Sequence, residues 1–224
     1  VKLIPETDAV LNRDLSRLKQ VRDARTQRAQ DYFKTVAKSW NSIRSLHVSQ
    51  QKVEDKLRKI IGNEPASELL DIGTGTGRVL EILSPQIKHG VGIDLSNDML
   101  AVARSNIERR GFSNVQVRKG DMYRLPIEDS SIDLATIHMV LHYSDKPLEV
   151  IREATRVLRP HGRLILVDFA AHDEEKLRDE FNHHRLGFSD DEVHHWFNYC
   201  GLEADGNIDQ LVGSPLTVKF WEGR

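Results

Sequence analysis

Asp71, Asp94 and Asp121 each stand at or just after a short run of strand-forming residues, and the first leads into the turn Gly73-Thr74-Gly75-Thr76-Gly77. Three carboxylates so placed accept hydrogen bonds, and a glycine-rich turn takes positive φ and lets a ligand approach its backbone closely. Asp94 closes Gly90-Val91-Gly92-Ile93-Asp94, a position suited to accepting from both hydroxyls of a ribose. Asp121, in Gly120-Asp121-Met122, can accept from the exocyclic amine of adenine, with Met99 and Met122 sandwiching the ring. The chemistry implied is recognition of an adenosine compound. A pyrophosphate is disfavoured, because the third glycine of a dinucleotide fingerprint would fall where Arg78 stands. The turn also lacks the Gly-Lys-Ser or Gly-Lys-Thr ending of a phosphate loop, which argues against a nucleotide hydrolase. A nicotinamide oxidoreductase on a similar sheet remains an alternative, with Arg78 and the Gly120-Asp121 turn counting against it.

These residues need strands and helices to hold them. Leu69, Leu70 and Ile72 form a buried-strand run, and Arg78 to Leu83 starts a helix, so strand, tight turn and helix form the first crevice of a doubly wound α/β sheet. Further strands are expected from Gly90, Val115, Ile132 and Arg163, the last running to Phe169, and an alternating strand from Leu216 to Trp221. Helices are expected over 147–158, 173–184 and 190–200. Ahead of the sheet, a charged helix runs from Asp8 to about Trp40 and a second from Ser49 to Ile61, stopped by Gly62 and Pro65. The chain thus divides into an N-terminal helical extension, 1–62, serving as connector, lid or dimer element, and a ligand-binding domain, 63–224.

The order and spacing of Asp71, Gly73, Asp94, Asp121 and the run Ile132-Asp133-Leu134-Ala135-Thr136-Ile137 resemble the class I S-adenosylmethionine-dependent methyltransferases. Residues 94–100 and 156–164 support the resemblance, which covers roughly Glu64 to Arg224. It implies a seven-stranded, mostly parallel Rossmann-like sheet with an antiparallel last strand. It also implies S-adenosylmethionine as cofactor and S-adenosylhomocysteine as product. The Gly73 to Gly77 loop, with Thr74 and Gly75 in it, would hold the methionine portion, Asp94 the ribose, and Asp121 with Met122 the adenine, and Asp71, Leu95, Met99 and Gly120 join them as cofactor-binding residues. His161 departs from the pattern, since relatives usually carry glycine there, and a side chain could strain that turn.

Methyl transfer is an in-line displacement in which placement of the acceptor supplies much of the rate, and a base matters only where the acceptor must lose a proton. His138 and His142 are the candidate bases, because they follow the fourth strand, where this family meets its substrate. Tyr32, Trp40, Arg44 and His47 are candidates for a lid, and Arg44 or Arg185 for a bidentate clamp on an anionic acceptor. Asp168 and His172 follow the fifth strand at the edge of the same crevice.

A narrower resemblance rests on Ala29-Gln30-Asp31-Tyr32-Phe33, residues 40–47, His142-Tyr143, residues 167–172 and His184-Arg185-Leu186-Gly187-Phe188. These strings look like the methyltransferase portion of proteins whose front half is an ArsR-type winged-helix regulator. That implies a DNA-binding domain ahead of Val1, so DNA would be bound only through it, and the chain would be a fragment or processed product. Two functional classes follow: a methyltransferase acting on a small molecule, or a cofactor-sensing module of a transcriptional regulator without turnover.

With 224 residues, 39% hydrophobic content and a net charge of −2, the chain has the composition of a soluble globular protein and no strong field for nucleic acid. No apolar run or signal pattern points to a membrane, so the expected compartment is the cytoplasm. A homodimer through the N-terminal helices is open. Cys200 is the sole cysteine, which excludes intramolecular disulfides and argues against arsenite methylation. Ten histidines invite a metal, yet adjacent histidines on a helix diverge by about 100° and no His-Glu-x-x-His pattern occurs, so none is expected.

Overall fold

A computed structural model of the protein describes residues 9–37, 49–62, 66–206, 208–213 and 215–224. Its strands are β1 (Ala66–Ile72), β2 (Ile87–Asp94), β3 (Val115–Lys119), β4 (Ile132–His138), β5 (Leu158–Phe169), β6 (Asp209–Val212) and β7 (Thr217–Gly223). They form one seven-stranded sheet in the order β3-β2-β1-β4-β5-β7-β6. The pairings among β1 to β5 are parallel, whereas β7 runs antiparallel to both β5 and β6. Strand order reverses between β1 and β4, and the carboxyl ends of those strands open the crevice in which such sheets take their ligands.

The helices are α1 (Ala9–Val36), α2 (Gln50–Ile61), α3 (Arg78–Leu83), α4 (Asn97–Arg110), α5 (Pro147–Val157), α6 (Lys176–Phe181) and α7 (Asp190–Tyr199). Successive strand residues point to opposite faces, so Leu69 and Leu134 join one core and Leu70, Ile72, Ala135 and Ile137 the other. The first core takes Val53, Leu57 and Ile61 of α2 with Leu80 of α3 and Leu100 of α4. The second takes Val150, Ile151 and Ala154 of α5 with Val193 and Phe197 of α7. With both faces covered, the second half of β1 is buried on both sides, Leu69, Leu70 and Ile72 being apolar without alternation.

Local signals fix the ends of these elements. Ser96 caps α4, its hydroxyl accepting from Met99 N at 3.3 Å, and Gly111 ends the helix at φ 71°. Pro147 opens α5, and Ser189 with Glu192 forms a capping box on α7.

Several extents differ from expectation. α1 ends at Val36, and Trp40, Arg44 and His47 lie outside the described residues. β5 starts at Leu158 rather than Arg163, with an irregular register against β4 between Ile132 and Leu134. His161 sits there at φ 66°, the left-handed backbone that a glycine would take without strain. The helix expected over 173–184 shrinks to α6, because Asn182 turns left-handed at φ 57° and closes it. β6 has no counterpart in the sequence reading: it is four residues at the sheet edge.

Candidate functional site

A cavity of about 430 Å³ opens at the carboxyl ends of β1, β2, β3 and β4. Its wall includes Asp71, Gly73, Thr74, Gly75, Asp94, Leu95 and Ser96, then Met99, Gly120, Asp121, Met122 and Tyr123. The rest of the wall is His138, Met139, Val140, Tyr143, Asp145, Lys146, Glu149 and His184, with Phe33 from α1.

The turn after β1 folds over the end of β2. The amides of Gly73 and Thr74 both donate to Ile93 O, at 2.8 and 3.0 Å. Gly73, Gly75 and Gly77 take φ of 72°, 53° and 79°. Glycine is required at 73 on space as well: a Cβ there would sit 2.5 Å from Val140 Cγ2. Asp94 is fastened to this turn, its Oδ2 accepting from Gly75 N and its Oδ1 from Ser96 N, both at 2.8 Å. Burial pushes the Asp94 carboxyl up from its usual range, opposed by the amides of Ser96, Gly75 and Leu95. The carboxylate is thus held rigidly at the cavity lip with its remaining lone pairs available to hydroxyl donors.

Asp71 is buried at the end of β1, where Thr136 Oγ1 of β4 donates to its Oδ1 at 2.7 Å. Thr74 Oγ1 is buried with no hydrogen-bond partner among the described residues. Asp121 accepts from Tyr123 N at 2.9 Å, which shapes the turn after β3. Met99, from the first turn of α4, and Met122 line the same cavity, as a sandwiched ring would need. The expected cofactor residues therefore converge, although Gly77 caps α3 rather than facing the cavity.

The candidate bases separate. His138, the last residue of β4, lines the cavity, while His142 does not. His142 is buried in the 3-10 turn Leu141–Tyr143, its Nδ1 2.7 Å from Oδ1 of the fully buried Asp168. His172 is half-buried outside the cavity, its Nδ1 accepting from Glu174 N at 3.2 Å, and burial lowers its pKa. Arg185 is no clamp in this structure: its guanidinium donates to Glu192 Oε1 at 2.8 Å and lies over the rings of Phe188 and Trp196. Tyr32 stays outside the cavity wall, and its neighbour Phe33 enters it.

Sequence reasoning missed Phe33, Tyr143, His184 and the Met139-Val140 pair as wall residues. A one-residue offset on a helix or a tight turn rotates a side chain by about 100° or more, so naming Tyr32 and His142 pointed to the right segments and the wrong faces. Met139 takes φ 53°, a strained backbone between two wall residues that nothing in the local sequence announces. Among the described residues, no group of three or more His, Cys, Asp or Glu is arranged to hold a metal, and no helix is long and apolar enough to cross a membrane.

Residues 70–166 match the family model described as a methyltransferase domain. The chain is 35% identical over 116 residues to the uncharacterized methyltransferase YcgJ of Bacillus subtilis (strain 168), covering 52% of this chain and 46% of that protein. It is 32% identical over 171 residues to a malonyl-[acyl-carrier protein] O-methyltransferase of Marinomonas sp. (strain MWYL1), covering 75% and 60%. A demethylmenaquinone methyltransferase of B. subtilis (strain 168) is 28% identical over 153 residues, 66% of each chain. The matches thus span about half to two thirds of these relatives' lengths. In fold, the crystal structure of YcgJ superposes with a TM-score of 0.67 at 21% identity over 78% of this chain and 98% of that one. A methyltransferase from Aquifex aeolicus gives a TM-score of 0.62 at 24% identity over 75% and 88%. The glycine turn, the strand-end carboxylates and the cavity between them thus lie on a Rossmann-like sheet of the kind found in these methyltransferase structures, and residues 70–166 resemble a methyltransferase domain.

Proposed function

We propose that the chain transfers a methyl group from S-adenosylmethionine to a small molecule. The observation that carries this reading is Asp94, fastened by the Gly75 and Ser96 amides at the lip of the glycine-turn cavity. The donor set fits the cofactor. S-adenosylmethionine is a cation with ribose, amine and adenine donors and no phosphate, and the wall offers Asp71, Asp94 and Asp121 with no arginine. Asp94 would take the ribose hydroxyls, Asp121 with Met99 and Met122 the adenine, and Asp71 with the glycine turn the methionine portion. When bound, the cofactor supplies an activated methyl group. The chain's part is to bury it, hold the acceptor in line, and place His138 where an acceptor proton can leave.

The narrower sequence strings support reading the chain as part of an ArsR-type regulator and methyltransferase in the cytoplasm, meeting DNA only through another domain. Pairing of two copies through α1 belongs to the same reading.

Calorimetric titration with S-adenosylmethionine, S-adenosylhomocysteine and NAD, repeated on Asp94→Ala, tests the central claim. Binding of both sulfur ligands, lost in the variant, is the expected result. A folded chain that binds NAD and neither sulfur ligand would overturn it, and tight binding with no turnover on any acceptor would favour the sensing role.

A further inference from the structure

The part of the cavity wall that follows β4 and meets α1 has a chemistry of its own. Phe33 and Tyr143 both line it, their rings meeting edge to face with centroids 4.9 Å apart. Behind Tyr143 the His142 ring lies 4.2 Å away, and His142 stacks on His183 at 4.0 Å. Asp168 organises this layer. Its carboxylate accepts from His142 Nδ1 at 2.7 Å, from the His142 amide at 3.2 Å and from the Phe169 amide at 2.8 Å. A carboxylate only accepts, so His142 carries its proton on Nδ1. The His142 carbonyl in turn accepts the amides of His184 and Arg185, both at 3.0 Å. One buried pair therefore ties the end of β5, the turn that presents Tyr143, and the segment that presents His184.

We propose that this wall is the acceptor subsite and that it takes a neutral, planar hydroxyarene, with Tyr143 donating to the acceptor oxygen and the Asp168–His142 pair acting as its positioning element. The inference rests on the methyltransferase reading above and names the acceptor class for it. Planarity follows from the edge-to-face aromatic wall, against which a flat ring packs with least loss of contact. Neutrality follows from charge: the wall holds no arginine, and its one lysine, Lys146, stands with Asp145 and Glu149, so a carboxylate acceptor meets no clamp. An oxygen at the contact follows from the donors. Burial first, then Tyr32 and Asp168 nearby, raise the Tyr143 pKa, which keeps the phenol protonated. The Tyr32 hydroxyl is itself buried with no hydrogen-bond partner among the described residues. A protonated phenol gives its hydrogen bond to an oxygen, whereas an ammonium could only donate to the phenol oxygen and would leave the phenolic hydrogen without an acceptor.

The test is calorimetric binding of 2-naphthol, benzoate and benzylamine to the whole chain saturated with S-adenosylhomocysteine, in wild type, Tyr143→Phe, Asp168→Asn and the double variant. The expected result is that 2-naphthol binds about tenfold or more tightly than the two charged rings, and that Tyr143→Phe weakens it about tenfold while S-adenosylhomocysteine affinity stays within about twofold. Asp168→Asn should weaken 2-naphthol similarly, and the double variant should lose little more than Tyr143→Phe alone, because the pair acts through Tyr143. A preference for benzoate or benzylamine, indifference of 2-naphthol to Tyr143→Phe, or full additivity of the two substitutions would overturn the proposal. Should Asp168→Asn fail to fold, Asp168→Glu takes its place in the same cycle. Failure of the wild-type chain to bind S-adenosylhomocysteine is a different result, which removes the cofactor reading beneath it.

Discussion

Arg78 meets Glu54 through two parallel hydrogen bonds, Nε to Oε1 at 2.8 Å and Nη2 to Oε2 at 2.7 Å, and so joins α2 to the helix that follows the glycine turn. Arg78 occupies the place where a dinucleotide site needs glycine, and the structure gives that place a second use. The Glu54 carboxylate is almost completely buried, and the guanidinium raises its hold by also bonding Glu81 at 3.0 Å. A segment ahead of the sheet is thereby fixed to the exit of the glycine turn.

Arg78→Met is expected to leave the Glu54 carboxylate buried without its main partner and to cost about 3 kcal/mol in urea unfolding. Replacing both residues, Glu54→Leu with Arg78→Met, should recover part of that loss, because the stranded charge is gone. A single variant as stable as wild type would show that the pair contributes nothing.

Asp94→Asn keeps the shape of the side chain while removing its charge, at the position proposed to hold the ribose. Loss of a charge-assisted acceptor is worth about 1.5–3 kcal/mol, so S-adenosylhomocysteine binding should weaken about 10- to 100-fold. Isothermal titration reads this directly, and unchanged affinity would remove Asp94 from the site.

His161→Gly should stabilise the protein. Relief of a left-handed non-glycine residue at φ 66° is worth about 1–2 kcal/mol, offset by about 0.5–1 kcal/mol of added chain entropy in the unfolded state. The expected gain is a rise of roughly 1–3 °C in the melting temperature. A lower melting temperature would mean that the His161 side chain contributes contacts worth more than the strain.

Glu153 gives a pH signature. Its hydrogen bonds from Arg156, foremost, hold its pKa below the ordinary value of 4.5; burial opposes this and the Leu125 amide assists it. A carboxyl lowered on folding contributes stability that is fully present above its unfolded pKa and is lost as pH falls through the folded one. Glu153→Gln should therefore cost stability at neutral pH and progressively less below about pH 4, as followed by urea unfolding across that range. A constant difference at every pH would sink this account.

Much of the sheet was legible because its signals are local. Leu69 to Ile72, Gly90 to Asp94 and Ile132 to Ile137 are short stretches dominated by apolar residues, and those strands lie where the stretches do. The glycine turn and the three carboxylates were legible for the same reason, since each sits beside its own strand end. β6 was not, being four residues at an edge with exposed Gln210 and Val212 and only Leu211 packed against a core. The short α6 was overread, because the left-handed turn at Asn182 is a choice of backbone that helical periodicity does not report.

By itself, the sequence determined the kind of sheet, the glycine turn at the cavity and the placing of the three strand-end aspartates, since period, glycine spacing and residue type act within a few positions of one another. The tertiary structure decided which neighbours face the cavity. It chose Phe33 over Tyr32 and Tyr143 over His142, turned Arg185 onto Glu192 and two rings, and closed the Asp168–His142 pair across 26 positions. Those choices depend on the rotation of a helix or turn against a wall assembled from distant segments, and burial, which has no sequence address, sets that rotation.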